Sequence, residues 1–179
     1  MSALDIQANR RTRKWSRGEL IARALWTLAQ PLFRFSPRLA WGWRRWLLRR
    51  FGARVGAHVH IYPSVRVMIP WHLAIGDESA IGDRVILYSL GPITIGRQVT
   101  ISQNAHLCAG SHDYRDPAMP LLKLPITIGD GCWICADAFV GPGIAIGAQA
   151  IAGARAVVVA DVPAGAIVAG NPARRIGAR

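Results

Sequence analysis

The stretch IGDGCWICADAFVGPGIAIGAQAIAGARAVV, Ile128 to Val158, decides how this chain folds. Read in sixes, it opens each group with an apolar residue: Ile128, Ile134, Val140, Ile146, Ala152 and Val158. Glycine follows at 129, 141, 147 and 153, and a small apolar residue often sits four places on, as at Ala138, Ala150 and Ala156. A period of six fits neither the helical period of about 3.6 nor strand alternation. It predicts a solenoid in which each hexad supplies a short strand and a turn. The aliphatic residue is expected to point inward, and the glycine to permit the backbone at the turn.

The same period recurs upstream, from Val55-Gly56 through Ile61 to Val67, from Ile75-Gly76 through Ile81-Gly82 to Leu87, and from Ile95-Gly96 through Ile101 to Leu107. These runs start 20 residues apart, three hexads and two residues more, whereas Ile128 to Ile146 is a plain 18. The repeat breaks once. From Leu107 to Ile128 the spacing is 21, and the intervening AGSHDYRDPAMPLLKLP (109–125) is polar, rich in proline and carries His112. One corner is therefore expected to extrude a loop over residues 113–125. A protruding loop is how a uniform solenoid makes a cleft, against its next coil or a neighbouring subunit. His112 is expected at the last regular position before the loop departs. That placement suits a general base held by rigid backbone; the plainer reading is a surface histidine at a turn. His106, one hexad earlier, reads as structural or as part of an acceptor side.

The 179 residues suffice for one domain plus an appendage. Residues 1–54 hold 13 Lys/Arg against 2 Asp/Glu and five of the seven tryptophans, while residues 55–179 hold 9 against 8. The chain thus divides into a basic, Trp-rich helical extension (1–54) and a nearly neutral hexad body with a C-terminal tail (55–179). In the extension, Ser16 and Glu19 form a capping box ahead of Leu20, Ile21, Ala24, Leu25 and Leu28, and Pro31 is expected to stop that helix. Ser36 and Pro37 offer an N-cap and a first-turn proline for a second helix over about 37–51, which sets Leu39, Trp43, Trp46, Leu47 and Phe51 among arginines. Such helices suit an anionic bilayer surface, which makes residues 16–51 a candidate peripheral membrane contact. In the alternative, their apolar faces cap the hexad body and the arginines are solvated.

No nucleic-acid-binding motif accompanies the charge, so nucleic acid is not an expected partner. Arginines interrupt every apolar run before membrane-spanning length, and no signal-peptide pattern is evident. Three cysteines, an odd and sparse set, argue for a reducing compartment. The expected location is cytoplasmic, with the inner face of the membrane as the place of any peripheral contact. Cys132 and Cys135 form a lone CxxC whose hexad positions should make them diverge, which favours structural cysteines over a zinc site.

The hexads resemble those of the hexapeptide-repeat acyltransferases. Within that family, LYSLGPITIG (87–96), ISQNAHLCAGSHDYRDPAMPL (101–121), PITIGDGCWI (125–134), VGPGIAIG (140–147), VAGNPARRI (168–176) and the basic SPRLAWGWRRWLLRRFGARVG (36–56) are similar to the colanic-acid-type O-acetyltransferases, relatives of the galactoside and maltose acetyltransferases. The resemblance covers nearly the whole chain from about Ser16. It implies a mainly β fold, a left-handed parallel β-helix of hexapeptide repeats with an N-terminal basic helical extension. It also implies an acetyl-CoA-dependent O-acetyltransferase acting on a saccharide, in exopolysaccharide biosynthesis. His112 would take the proton of a sugar hydroxyl as that hydroxyl attacks the thioester directly, with no protein nucleophile and no metal. Tyr88 and Ser89 would lie on the acceptor side. Asp113, read from its place beside His112 and not from the resemblance, is a candidate to orient that ring, but its adjacent position aims it rather into the loop, on the acceptor side. Trp133, Ala136, Gly153 and Ala154 would line the acetyl-CoA groove between adjacent subunits of a homotrimer, and Arg174 and Arg175 would meet its phosphates.

The chain departs from these relatives in two places. Val159-Ala160 stands where they usually carry a polar pair before the "DVP" turn, which removes an expected phosphate contact. Ser89 in Tyr88-Ser89-Leu90 stands where they often have asparagine, and a hydroxyl lacks the two-sided hydrogen bonding of an amide. Two other function classes compete. One is a non-catalytic β-helix scaffold or membrane-surface binding module. The other is a metal-dependent relative such as a carbonic anhydrase of this fold, whose histidine spacing the five histidines here (His58, His60, His72, His106, His112) do not show.

Overall fold

Strands of two to four residues do form at the inward aliphatic positions, and each pairs in parallel with the strand one coil away. In the computed structural model, which describes residues 4–179, they stack into three faces of a parallel β-helix. The first face orders Arg54–Val55, Leu73–Ile75, Ile93–Ile95, Ile126–Ile128 and Ala145–Ile146. The second orders His60–Ile61, Ala80–Ile81, Thr100–Ile101, Trp133–Ile134, Ile151–Ala152 and Ala166–Ala169. The third orders Arg66–Val67, Ile86–Tyr88, His106–Cys108, Phe139–Val140 and Val157–Val158. Register aligns like with like: Ile95 sits between Ile75 and Ile128, and Ile101 between Ile81 and Ile134. The inward columns are buried throughout, and each Ile, Leu or Val so placed contributes roughly 1.5–3 kcal/mol.

The columns also admit polar atoms where the backbone can satisfy them. Buried Ser79 donates to Gly96 O at 2.9 Å and accepts from Val99 N at 3.0 Å. Buried Cys132 directs its thiol to Gly147 O at 3.0 Å, and burial pushes that thiol up from its ordinary pKa. Cys135 is half-buried beside a corner, so the two cysteines of the CxxC do diverge. Among the described residues no three His, Cys, Asp or Glu side chains converge as a metal site would require.

The glycines work differently from expectation. Gly76 and Gly129 are not left-handed; they are needed because successive coils stack backbone on backbone. A Cβ on Gly76 would lie 2.6 Å from the carbonyl carbon of Gly96, and one on Gly129 would lie 2.5 Å from Ala148 N. The left-handed turn conformation falls two positions later, on His58, Glu78, Gln98 and Gln149, with φ of 52°, 60°, 55° and 62°. Non-glycine residues adopt it there because the stacked coils impose it.

All irregularity in coil length falls at one corner, between the third and first faces. Val67 to Ile75 and Leu87 to Ile95 each span eight positions instead of six, the first filled by a 3-10 turn at Pro70–His72. Leu107 to Ile128 then makes the long excursion at that same corner.

Three helices precede the solenoid: α1 (Ile6–Arg11), absent from the sequence expectation, α2 (Arg17–Arg34) and α3 (Trp41–Arg50). The capping box of α2 is present, Glu19 N to Ser16 Oγ at 3.1 Å and Ser16 N to Glu19 Oε2 at 2.7 Å. Pro31 does not stop α2 but lies inside it. A proline removes one backbone donor, and burial of Ala29 and Phe33 against the solenoid carries the helix past that loss. The second helix starts at Trp41 instead of 37, because Ser36 is not its cap. Ser36 Oγ instead accepts from Arg44 Nη1 and donates to Phe33 O, both at 2.7 Å.

The basic composition has a structural cause. Backbone N–H groups of one coil donate to carbonyls of the next, as Gly56 N does to Ile75 O at 2.8 Å and Tyr62 N to Ile81 O at 3.1 Å. The carbonyls of Val55, Val59, Ile61 and Val67 in the first coil therefore have no coil before them to donate, the usual liability of a sheet edge. Arg49 Nε donates to Val55 O at 2.8 Å, Arg45 Nη1 to Val59 O at 3.0 Å, Arg44 Nε to Ile61 O at 2.5 Å and Trp26 Nε1 to Val67 O at 2.8 Å. The expectation of solvated arginines is thus corrected, most of all at Arg44, which is fully buried. At the far end, Arg174–Ala178 turns back and pairs antiparallel with Ala166–Ala169.

The apolar stripe read from the sequence is not the packing face. Leu20, Ile21, Leu25 and Leu28 are exposed, Leu28 by 77%, whereas Trp26, Ala29 and Phe33 pack inward. Leu32, Phe35 and Leu39 extend the exposed stripe, and Trp43 and Trp46 stack with ring centroids 5.0 Å apart on the outside of α3. No helix among the described residues is long and apolar enough to cross a membrane.

Candidate functional site

The long excursion is a hairpin whose stem pairs Ser111–His112 with Leu121–Leu122 in antiparallel register, His112 opposite Leu121. His112 therefore stands on the loop's own stem and not at the last regular position of the coil, which ends with His106–Cys108. The side chain is exposed, and its Nδ1 lies 2.7 Å from Met119 O. A carbonyl only accepts, so Nδ1 carries the proton and Nε2 of the neutral ring presents a lone pair.

Asp113 does not orient His112. Its carboxylate accepts from Arg115 N at 3.0 Å and its own N–H donates to Pro120 O at 3.0 Å, which closes the loop upon itself. The orienting group is a backbone carbonyl, which has no sequence signature. Only the turn that places it was readable, in the polar, proline-containing run.

On the third face, Tyr88 sits half-buried beside Cys108, in register with it. Ser89 is corrected as an acceptor residue. It is fully buried; its hydroxyl donates to Ile69 O and accepts from Ile69 N, both at 2.9 Å. The two extra residues of that coil turn it inward, where it stitches neighbouring corners together. His106 lies between the edges of Tyr88 and Phe139, at 6.1 and 5.4 Å between centroids, with Nε2 buried and without a partner. Burial pulls its pKa below the ordinary imidazole value.

The residues expected on the donor side gather at a different corner, between the second and third faces. Trp133 is exposed on the second face and donates from Nε1 to Ser102 Oγ at 2.9 Å. Ala136 and Ala154 occupy this corner in successive coils, joined by Arg155 N to Ala136 O at 2.9 Å. Gly153 lies beside them, where a Cβ would meet Ala169 Cβ at 3.2 Å. Arg174 and Arg175 are exposed on the strand that closes the second face, opposite Ala169 and Val168. An open groove of about 440 Å³ lined by Arg38, Tyr62, Arg84, Ser102 and Gln103 continues this corner toward the helices. The fold thus assembles the small residues, the tryptophan and the tail arginines, and leaves His112 one whole face away from them.

No protein-family model matches the chain. The putative colanic acid biosynthesis acetyltransferase WcaF of Escherichia coli is 45% identical over 148 residues, 83% of this chain and 81% of the relative. The galactoside O-acetyltransferase of Escherichia coli is 28% identical over 136 residues, 74% of this chain and 67% of the relative. The crystal structure of a hexapeptide-repeat-containing acetyltransferase of Vibrio cholerae complexed with acetyl coenzyme A matches with a TM-score of 0.83 at 27% identity, over 94% of this chain and 92% of that one.

Proposed function

We infer that this chain, which belongs to the hexapeptide-repeat acetyltransferase family on the branch of the colanic acid acetyltransferases, is an acetyl-CoA-dependent O-acetyltransferase that acetylates a saccharide hydroxyl in exopolysaccharide synthesis. The observation that carries the mechanistic part is the free Nε2 of His112, held on a loop by a carbonyl at Nδ1. His112 Nε2 takes the proton of the acceptor hydroxyl as its oxygen attacks the acetyl carbonyl carbon. The carbon–sulfur bond then breaks, and the same proton passes to the departing thiolate. The products are the O-acetyl saccharide and free coenzyme A, with no protein atom acylated. A base so placed contributes about 10²–10⁴-fold.

The donor lies along the corner of Trp133, Ala136, Gly153 and Ala154, where small residues leave room for the pantetheine arm, and Arg174 and Arg175 meet its phosphates. Tyr88 and the loop face the acceptor. Because His112 and this corner flank opposite edges of one face, the reaction needs a second copy, and the working unit is a homotrimer with each site between neighbours.

One experiment tests chemistry and assembly together. Thiol release from acetyl-CoA is measured with a panel of mono- and oligosaccharides, first for wild type, then for His112→Ala and Ala154→Trp separately and after co-refolding. Each variant alone is expected to be nearly inactive. The mixture is expected to recover activity, because some sites then join an intact His112 to an intact donor corner. No recovery, with both variants trimeric, would place the whole site within one chain.

The outward stripe of α2 and the Trp43–Trp46 stack, with Arg17 and Arg34 exposed at the two ends of α2, support peripheral contact with an anionic membrane, where a lipid-linked acceptor would lie. Flotation with phosphatidylglycerol-containing vesicles is expected for wild type and is expected to be lost in Leu25→Asp/Leu28→Asp. Flotation unchanged by those substitutions, or absent in wild type, removes the membrane from the account.

A further inference from the structure

We propose that Asn9, on the N-terminal helix α1, is a positioning residue for His112, acting through the Met119 carbonyl. This rests on the reading of His112 as the base. The loop turns back at Met119, a left-handed residue with φ 44°, after Ala118 N is capped by Asp116 Oδ1 at 2.8 Å and Met119 N donates to Asp116 O at 2.8 Å. This turn sends Met119 O to within 2.7 Å of His112 Nδ1. A carbonyl on a partly exposed loop is free to swing toward water unless something holds it.

Asn9 supplies the hold. Its Nδ2 donates to Met119 O at 2.5 Å and to Ala118 O at 2.7 Å, across more than a hundred residues of sequence. The Asn9 Oδ1 accepts from the Lys14 ammonium, which settles the orientation of the amide, because an ammonium only donates. Met119 O has two lone pairs, and the Asn9 amide and the His112 ring take one each.

The neighbouring contacts serve the same docking. Asp5 N donates to Pro117 O at 2.8 Å. Lys123 Nζ donates to Lys14 O at 3.1 Å and lies 3.6 Å from the centre of the Trp15 ring. Helix α1 buries none of its own residues fully, so these polar contacts to the loop are its chief tie to the body. Without the Asn9 amide, Met119 O is released, the proton at Nδ1 loses its acceptor, and the tautomer with a protonated Nε2 becomes populated. That tautomer cannot receive a proton at Nε2.

The test compares wild type with Asn9→Asp, Asn9→Ala and Asn9→Gln in the full-length protein. Asn9→Asp keeps the shape and removes both donated bonds; Asn9→Gln keeps the amide. The readouts are kcat and KM for acetyl transfer, and the 15N shifts of the His112 ring nitrogens, assigned by difference against His112→Gln. Asn9→Asp and Asn9→Ala are expected to lower kcat by about ten-fold with little change in KM for acetyl-CoA, a fraction of what a base contributes in full. Both are expected to show mixed tautomers of the neutral ring, with partial recovery of both readouts in Asn9→Gln. A wild-type tautomer pattern in Asn9→Asp and Asn9→Ala overturns the proposal, whether or not kcat falls. The ring shifts are read without turnover, so they still test Asn9 if His112→Ala proves fully active and the base is another group.

Discussion

Substitution of His112 by alanine is expected to lower saccharide-dependent thiol release by about 10²-fold or more while the melting temperature stays within a degree or so of wild type. The two halves of that expectation come from the same geometry. The imidazole is exposed, and its single protein bond is to a loop carbonyl, so little stability depends on it. Its free Nε2 is nonetheless the one nitrogen on the loop that can accept a proton from a hydroxyl. His112→Asn tests the chemistry further, since an amide can bond Met119 O but cannot shuttle a proton; it should be as inactive as alanine. Asp113→Asn, by contrast, should keep most of the activity, because that carboxylate caps a turn and does not touch the ring. Activity that survives both changes at position 112 would mean that another group deprotonates the acceptor.

The largest loss of stability is expected at Arg44. Its guanidinium is fully buried, donates to Ile61 O, Pro37 O, Arg38 O and Ser36 Oγ, and lies 4.8 Å from the centre of the Trp41 ring. No carboxylate among the described residues pairs with it, and burial pulls its pKa below the ordinary guanidinium value. The desolvation cost is met by hydrogen bonds and the aromatic face alone. Arg44→Ala leaves the buried Ile61 carbonyl and the part-buried Arg38 carbonyl without partners and opens a cavity, whereas Pro37 O keeps the Ala40 N–H at 3.0 Å; the change is expected to cost about 3–5 kcal/mol in chemical denaturation. Arg44→Lys should recover little, because an ammonium cannot span the same fork. Arg50, exposed at the end of α3, is the control, and its alanine variant should lie within about 0.5 kcal/mol of wild type. A loss below about 1 kcal/mol for Arg44→Ala would mean that the first coil's carbonyls are satisfied by water and that the helices do not seal the solenoid. If the edge is opened, aggregation through coil-on-coil pairing is the accompanying sign.

The two predictions differ in how much of their basis the sequence carried. His112 stood out because a strict period stopped at it, and a break in a repeat is visible at the level of residue order. Arg44 did not stand out. It is one of four arginines in α3, and amphipathic spacing assigns all of them to solvent or to lipid. What separates Arg44 from Arg50 is the row of carbonyls facing one and not the other. The stripe of Leu20, Ile21, Leu25 and Leu28 misled for a related reason: α2 has two apolar faces, and periodicity finds a stripe without saying which one is covered. Trp26 and Phe33 win the solenoid because an indole N–H reaches the Val67 carbonyl and the rings pack edge to face.

By itself the sequence determined the repeat, the inward columns, the coil that extrudes a loop and the histidine within that loop. All of these follow from the order of residues along one strand path, where each hexad meets the next at a constant offset. The tertiary structure decided what depends on distant segments meeting. It put the extra residues of the coils at one corner, turned Ser89 inward, set the arginines on an open edge and brought Asn9 to the carbonyl that holds His112. It also left His112 and the donor corner at opposite edges of a face. Backbone carbonyls take part in nearly all of these contacts, and since every residue carries one, only the folded chain shows which of them lack a partner.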